Sequence, residues 1–417
     1  MSFSFAFDID AGELDDQLDL AGLTIDRPEH PTASTSTAAT VPHAAVPLGE
    51  LLATLPPLLS YTPVEVPVSS TPTRSVTLLR RDLFDARFQI LNQDEHDDDK
   101  GKQRRDDDND DDGRFIDQGS DLVQGVYEGG LKTWECSLDL VDCLDQRGYS
   151  PVTDLDSDRV RGKSILELGC GTAVPTCALF ARLLNEIRRS PTPPGQAPKR
   201  TTRIHLQDYN KQVLSLITLP NLLLTYAHHV ILTRASSSPP DADADADDDD
   251  DRGNAATLQF KGPGELDVTP ELLEAFEALL AHEGIVLEFS EGDWSGMTAA
   301  LSSSSSSESE SESSSRERGF DIVLTSETVY SLPSLPALLD VLQAAATAAP
   351  REAEDRGEHE RLCLVACKRI YFGVGGGELE FRKRVEERGG RVESVWGQGT
   401  GKGKSEGVGR TVLKVEW

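Results

Sequence analysis

Residues Ile165–Pro175 read ILELGCGTAVP, and this stretch decides the fold. The apolar run Ser164–Leu168, bounded by glycine, predicts a short buried strand. Gly169 and Gly171 then make a tight turn, and Pro175 pre-sets the first turn of a helix. Small residues at such a strand–turn–helix junction let the backbone approach a nucleotide-sized ligand at the carboxyl edge of a sheet. A dinucleotide site calls for Gly-x-Gly-x-x-Gly, but Val174 stands at the third glycine position. The acid of the strand, Glu167, suits a cationic ligand instead, such as the sulfonium-bearing methionyl group of S-adenosyl-L-methionine. Methyl transfer is therefore favoured over hydride transfer. The plainer alternative is a glycine turn that only links strand to helix.

Outward from this motif, buried runs alternate with helical stretches. Strands are expected at Ile204–Gln207, Ile285–Phe289, Asp321–Leu324 and Leu362–Ala366. Helices are expected at Thr176–Glu186, Lys211–Leu224, Pro270–His282, Pro333–Ala346 and Glu378–Arg388. This alternation implies an α/β fold, doubly wound around a mostly parallel, seven-stranded sheet. Val392–Trp396 and Thr411–Trp417 read as an antiparallel C-terminal hairpin. Upstream, LKTWECSLDLVDCL sets Trp134, Leu138 and Val141 at helical spacing. Residues 121–417 are expected to be the catalytic domain, interrupted by low-complexity insertions near 188–203, 235–256 and 302–318. Residues 1–120 are expected to be a largely irregular extension. Two pieces stand out there: the Phe3, Phe5, Phe7 alternation, and Val76–Ile90, which has the character to pack on a neighbouring domain.

The ends of the later strands supply the remaining candidates. Asp208, in HLQDYN, is placed to accept both ribose hydroxyls of an adenosine, or else to cap the next helix. Asp293 and Trp294, in EGDWSG, fall where an adenine amino group and ring face would lie. The fourth strand runs into SETVY, where Glu327 suits a substrate N–H and Tyr330 a pocket wall; alternatively Glu327 caps the following helix. The fifth runs into ACKRIYFGVGGGELEF, whose Tyr371, Phe372 and Gly373 begin an aromatic, glycine-rich loop suited to gripping a peptide, or equally to entering a helix.

Composition narrows the classes. The 417 residues hold 41 Lys+Arg against 72 Asp+Glu, a formal charge of −31. Much of it is local: 94–112 holds eleven acids and four bases, 241–251 eight aspartates, and 302–318 four acids and two bases, for a combined −17. Such runs repel themselves and stay solvated. The balance disfavours direct, sequence-specific nucleic-acid binding and suits a basic protein partner. No run reaches the ~18 apolar residues of a membrane span. MSFSFAFDID lacks the basic start of a secretory signal. The six cysteines never fall as Cys-x-x-Cys, so buried thiols are expected rather than disulfides or a metal site. A monomer in the cytoplasm and nucleus is expected.

Taken together, YEGGLKTWECSLDLVDCL, ILELGCGTAVP, LQDYN, DIVLTSETVYS and ACKRIYFGVGGG resemble the eukaryotic histidine protein methyltransferases. These are seven-strand methyltransferases related to the protein-lysine methyltransferases. The resemblance covers roughly residues 121–417, and MSFSFAF and LLRRDLFDARFQIL are similar to the family's N-terminal region. Ala173 departs from the third glycine of the broad class but fits this family; the acidic and Ser-rich insertions are not family features. The acid-x-x-Tyr motif of the wider group matches Glu327–Tyr330. The resemblance implies methylation of a histidine in a large-subunit ribosomal protein (protein three). It also implies that Trp134, Glu167, Gly169, Asp208 and Trp294 surround the cofactor. A protein-lysine methyltransferase and a cofactor-binding ribosomal-protein chaperone remain as alternatives. An RNA methyltransferase is disfavoured by the lack of an Asn/Asp-Pro-Pro-Tyr tetrad.

Overall fold

The computed structural model describes residues 41–71, 73–82, 84–86, 89, 122–123, 127–152, 157–198, 200–237, 262–303, 319–347, 361–372, 375–397 and 409–417. The Phe3–Phe7 alternation, the acidic run 94–112 and most of the insertions 235–256 and 302–318 lie outside them, as does Gly373. The strands are β1 (Ala44–Val46), β2 (Leu58–Pro67), β3 (Ser75–Arg81), β4 (Leu122–Val123), β5 (Tyr127–Glu128), β6 (Ser164–Leu168), β7 (Thr202–Asp208), β8 (Gly264–Asp267), β9 (Ile285–Glu291), β10 (Ile322–Ser326), β11 (Leu362–Lys368), β12 (Arg391–Trp396) and β13 (Arg410–Glu416). The helices are α1 (Leu48–Ala53), α2 (Glu135–Leu144), α3 (Val174–Arg189), α4 (Leu219–Ser237), α5 (Pro270–Glu283), α6 (Trp294–Ser303), α7 (Leu335–Thr347) and α8 (Glu378–Glu387). A helical turn at Lys211–Val213 and a π-helical turn at Leu214–Thr218 lead into α4.

The main sheet has the order β1-β9-β7-β6-β10-β11-β13-β12. Its five central strands, from β9 to β11, run parallel. β13 is antiparallel to both β11 and β12, and β1 is antiparallel to β9. Chain order reverses between β6 and β10, where the ligand crevice of an open α/β sheet lies. Successive strand residues point to opposite faces, and the core divides accordingly. Ile165, Ile322, Leu324, Leu364 and Val412 pack on one side with Leu140, Leu179 and Leu223 of α2, α3 and α4. Leu166, Leu168, Val323, Val365 and Leu413 pack on the other with Met297, Leu338 and Phe381 of α6, α7 and α8.

Two expectations are corrected here. The sheet has eight strands rather than seven, because β1 adds an edge from the N-terminal region. That region is also not irregular where it is described, since residues 44–81 contribute three strands and a helix. β2 alternates buried Leu59 and Tyr61 with more exposed neighbours, and β3 buries Val76, Leu78 and Leu79. The prolines and threonines around these residues hid the alternation. β2 pairs with β3 and β8 in a second sheet packed on the main core. Arg81, fully buried, pairs with Asp85 at 2.7 Å and donates to the Leu216 carbonyl in the π turn. Ahead of β1, the segment 41–43 crosses the end of β9. Asp293 N–H donates to the Val41 carbonyl at 2.9 Å, and Val41 N–H to the Tyr209 hydroxyl at 3.1 Å.

The helical stretch Lys211–Val230 is long and apolar enough to span a membrane by composition, but 78% of its apolar window is buried inside the fold. It is a core helix. All six cysteines are free and buried.

Candidate active site

β6 delivers its glycine turn to the point where strand order reverses. Gly169 and Gly171 both adopt left-handed φ, +59° and +50°. A Cβ on Gly169 would lie 2.8 Å from Thr328 Cγ2, and one on Gly171 would lie 3.0 Å from the Gly130 carbonyl oxygen. Neither position has room for a side chain. The polar groups beneath the turn are fully engaged. Gln207 Oε1 accepts both the Gly169 N–H (3.2 Å) and the Trp294 indole N–H (2.9 Å), while its amide donates to the Gly292 carbonyl (2.8 Å). Asp208 accepts the Gly171 N–H at 2.9 Å and the Asn210 N–H at 3.2 Å. Thr218, in the π turn, donates to the Gly171 carbonyl at 2.7 Å. Two neighbouring hydrogen-bond sets thus hold the turn, one tying Gly169 to Trp294 through Gln207 and the other tying Gly171 to Asp208.

Other expected cofactor residues take more structural positions. Glu167 is 1% exposed, and its Oε2 accepts the backbone N–H of Thr176 at 3.1 Å and the Thr176 hydroxyl. It anchors the first turn of α3. Burial pushes its carboxyl up to about 8 against the pull of these bonds, and the nearby Asp208 adds to the rise. Burial likewise raises Asp208 to about 6, opposed by its backbone donors. Asp208 is not a helix cap; Asn210 fills that role by accepting the Gln212 N–H. Asp293 does act as one, accepting the Gly296 N–H at 2.8 Å in the first turn of α6. Trp134 donates its indole N–H to the Gly129 carbonyl at 2.8 Å.

A second cluster forms at the ends of β10 and β11. Glu327 has a left-handed φ of 56°, unusual for a non-glycine residue and a mark of local constraint. It does not cap a helix, since α7 begins only at Leu335. The Tyr371 hydroxyl donates to Glu327 Oε2 at 2.6 Å and accepts the Lys368 N–H at 3.1 Å. Burial, then the Glu327 charge, push the Tyr371 hydroxyl up, so it stays a donor. Glu327 Oε1 lies 3.6 Å from the Lys368 ammonium and has no hydrogen-bond partner, although the side chain is 7% exposed. The adjoining Cys136 thiol, held protonated by burial and by Glu327, is a weak donor. Lys368 also lies 3.6 Å from Glu135 and over the rings of Trp134 and Tyr371, at 5.1 and 5.9 Å. The Tyr330 and Tyr371 rings are 6.2 Å apart. Phe372, by contrast, points to solvent.

Thr328 joins the two clusters: its methyl abuts Gly169 and its hydroxyl bonds Thr325 at 2.7 Å. Sequence reading missed Gln207, Thr218 and Lys368. The available signals were a fully buried glutamine beside the strand-ending Asp208 and a lone lysine closing an otherwise apolar strand. A separate cavity of about 980 Å³, lined by Arg147, Arg161, Lys163 and Arg200 among others, opens at the amino ends of β6 and β11. The converging groups described above are at the opposite end, which is where we place the active site. Among the described residues no His/Cys/Asp/Glu group is arranged to hold a metal ion.

A doubly wound α/β sheet with a glycine turn at its switch point is consistent with a methyltransferase-like fold. The chain is 31% identical over 343 residues to histidine protein methyltransferase 1 of Schizosaccharomyces pombe, covering 82% of this chain and 76% of that one. It is 28% identical over 400 residues to histidine protein methyltransferase 1 of Saccharomyces cerevisiae, covering 93% and 91%. It is also 28% identical over 274 residues to the Bos taurus homolog, covering 64% and 51%. No protein-family model matches. The chain belongs to the histidine protein methyltransferase family, and it is a methyltransferase.

Proposed function

We propose that the protein transfers a methyl group from S-adenosyl-L-methionine to a histidine of a large-subunit ribosomal protein, protein three of that subunit. The observation that carries this reading is Glu327, a nearly buried carboxylate fixed by the Tyr371 hydroxyl, whose Oε1 meets no oxygen or nitrogen donor at hydrogen-bond distance, only the Lys368 ammonium at 3.6 Å and the weakly donating Cys136 thiol. Buried polar atoms are rarely left unpaired, and those that are call for an explanation. An imidazole N–H entering the site would supply the missing donor.

The glycine turn fits the proposed cofactor. Gly169 and Gly171 leave a surface that any Cβ would obstruct, the Trp294 ring flanks it, and Asp208, beneath the turn, is the carboxylate that would meet the ribose hydroxyls. When bound, S-adenosyl-L-methionine supplies a methyl group activated by its sulfonium. The chain's residues prepare the nucleophile. Free histidine has a pKa of about 6.5, so the acceptor imidazole is mostly neutral at pH 7 and needs no strong base. Glu327 Oε1 accepts the N–H of one ring nitrogen, which fixes the tautomer and turns the lone pair of the other towards the methyl. Methyl transfer to the ring nitrogen would leave positive charge on the imidazole, and the Glu327 carboxylate would stabilise it. Tyr371 is a positioning residue that holds the carboxylate in place.

Lys368 favours histidine over lysine as the acceptor. Its ammonium already occupies the space between Glu327, Glu135 and two aromatic rings, where a lysine-accepting site would hold its substrate's cation. The ribosomal acceptor rests on the family resemblance and on the chain's acidity, which suits a basic partner. The test is labelled-methyl transfer into ribosomal protein from cells lacking the enzyme, with mass spectrometry of the acceptor. Methylhistidine in that one protein is expected; methyl-lysine would replace the acceptor.

A further inference from the structure

Large apolar side chains exposed to water are not spread evenly over the protein. Among the described residues seven stand out, and four of them lie on two adjoining segments beside Glu327: Leu332 (40% exposed), Ile370 (56%), Phe372 (78%) and Leu379 (81%). The segments are clamped together. Ser331 and Gly375 form an antiparallel bridge, and Gly376 N–H donates to the Tyr330 carbonyl at 3.1 Å. The approach is so close that a Cβ on Gly376 would lie 2.2 Å from that oxygen. Leu332 rests against Gly375, within 3.2 Å of where a Cβ would be. The same segment sends Tyr371 inward to Glu327 while Ile370 and Phe372, on either side of it, face outward.

We propose that Leu332, Ile370, Phe372 and Leu379 form an apolar ledge that docks the protein substrate through apolar side chains flanking its target histidine. The proposal rests on the reading of Glu327 as the histidine-holding carboxylate. Continuity identifies the occupant. A chain that places an imidazole on Glu327 must pass the lip that Tyr371 shares with Phe372 and Ile370, whereas a partner bound elsewhere need not touch it. An exposed apolar cluster of this kind marks an interaction surface. It also complements the chain's charge of −31. Long-range attraction gathers a basic partner and weakens with salt; apolar contact then fixes the register and persists in salt.

The test uses the full chain and purified, unmethylated large-subunit ribosomal protein three from cells lacking the enzyme. The double variant Phe372→Ser, Leu379→Ser is compared with Phe84→Ser, which removes an equally exposed ring outside the ledge. Losing two apolar side chains that docking would bury should raise KM about ten-fold or more, with kcat and cofactor affinity retained and the defect undiminished by salt. Phe84→Ser should behave as wild type. An unchanged KM in the double variant would overturn the ledge. So would loss of self-association by light scattering without a change in KM, which would assign the surface to a second copy of the chain. If the wild-type chain forms no methylhistidine at all, the failure lies with the proposed function; if it does and only the ledge variants are indifferent, the failure lies with the ledge.

Discussion

Replacing Glu327 with glutamine tests the catalytic reading with the least change in shape. The Tyr371 hydroxyl donates to Glu327 at 2.6 Å and would claim the single amide oxygen, turning the NH2 group towards the substrate. A donor would then face the imidazole N–H where an acceptor is required. On the proposed reading the wild-type contact would be a hydrogen bond from a ring that becomes charged, in a site where the carboxylate is only 7% exposed and poorly screened. Charge-assisted hydrogen bonds contribute roughly 1.5–3 kcal/mol. Removing one preorganised partner of a developing charge costs about 2.7–4 kcal/mol. Taking about 3 kcal/mol, at 1.36 kcal/mol per factor of ten, kcat should fall about 100-fold. Calorimetric cofactor affinity should stay within about two-fold of wild type, because Glu327 belongs to the second cluster and not to the glycine turn. Turnover within about three-fold of wild type would refute the assignment. Parallel losses in turnover and cofactor affinity would move Glu327 into the cofactor site.

Two further expectations concern the glycine turn. The folded-state carboxyl of Glu167 titrates at about 8, above its ordinary 4.5, so whatever stability it contributes is present below the lower value and lost as pH rises through the higher. Glu167→Gln mimics the protonated form, so its melting temperature relative to wild type should climb between pH 5 and pH 8, values set by that shift. A difference that is flat with pH would contradict the buried placement. Gly169→Ala forces a side chain into left-handed backbone at a cost of roughly 1–2 kcal/mol. It also drives a Cβ to 2.8 Å from Thr328. Cofactor affinity should fall about ten-fold or more by calorimetry, and wild-type affinity would show that the turn does not line the site.

The central strands were legible because each carries a short apolar run closed by a polar, charged or glycine residue, and all five parallel strands fall on such runs. Residues 44–81 were less so. Their alternation is diluted by prolines and threonines, and the burial of Leu59 and Tyr61 depends on partners far along the chain. The ends of the strands pointed to candidate residues but not to what each bonds to. Glu167 and Asp293 looked like ligand contacts, yet the structure engages one with Thr176 and the other with Gly296. Both partners lie downstream, nine and three residues on, and come within reach only once the local turn is formed. Lys368 escaped notice because a lysine closing a strand is ordinary until the rings of Trp134 and Tyr371 are found around it.

The short edge strand β1 also sets where this protein can be cut. Contacts place β1 in one compact unit with the main sheet that it borders. A product trimmed to begin near residue 121, as the motifs alone invite, would strip β9 of its antiparallel neighbour and leave an open row of amides and carbonyls, the kind of edge that recruits other chains. It would also remove the Val41 carbonyl that receives the Asp293 N–H, loosening the loop that carries Trp294. An inactive, aggregating fragment of that kind would report on a missing border strand and not on the chemistry of the catalytic half.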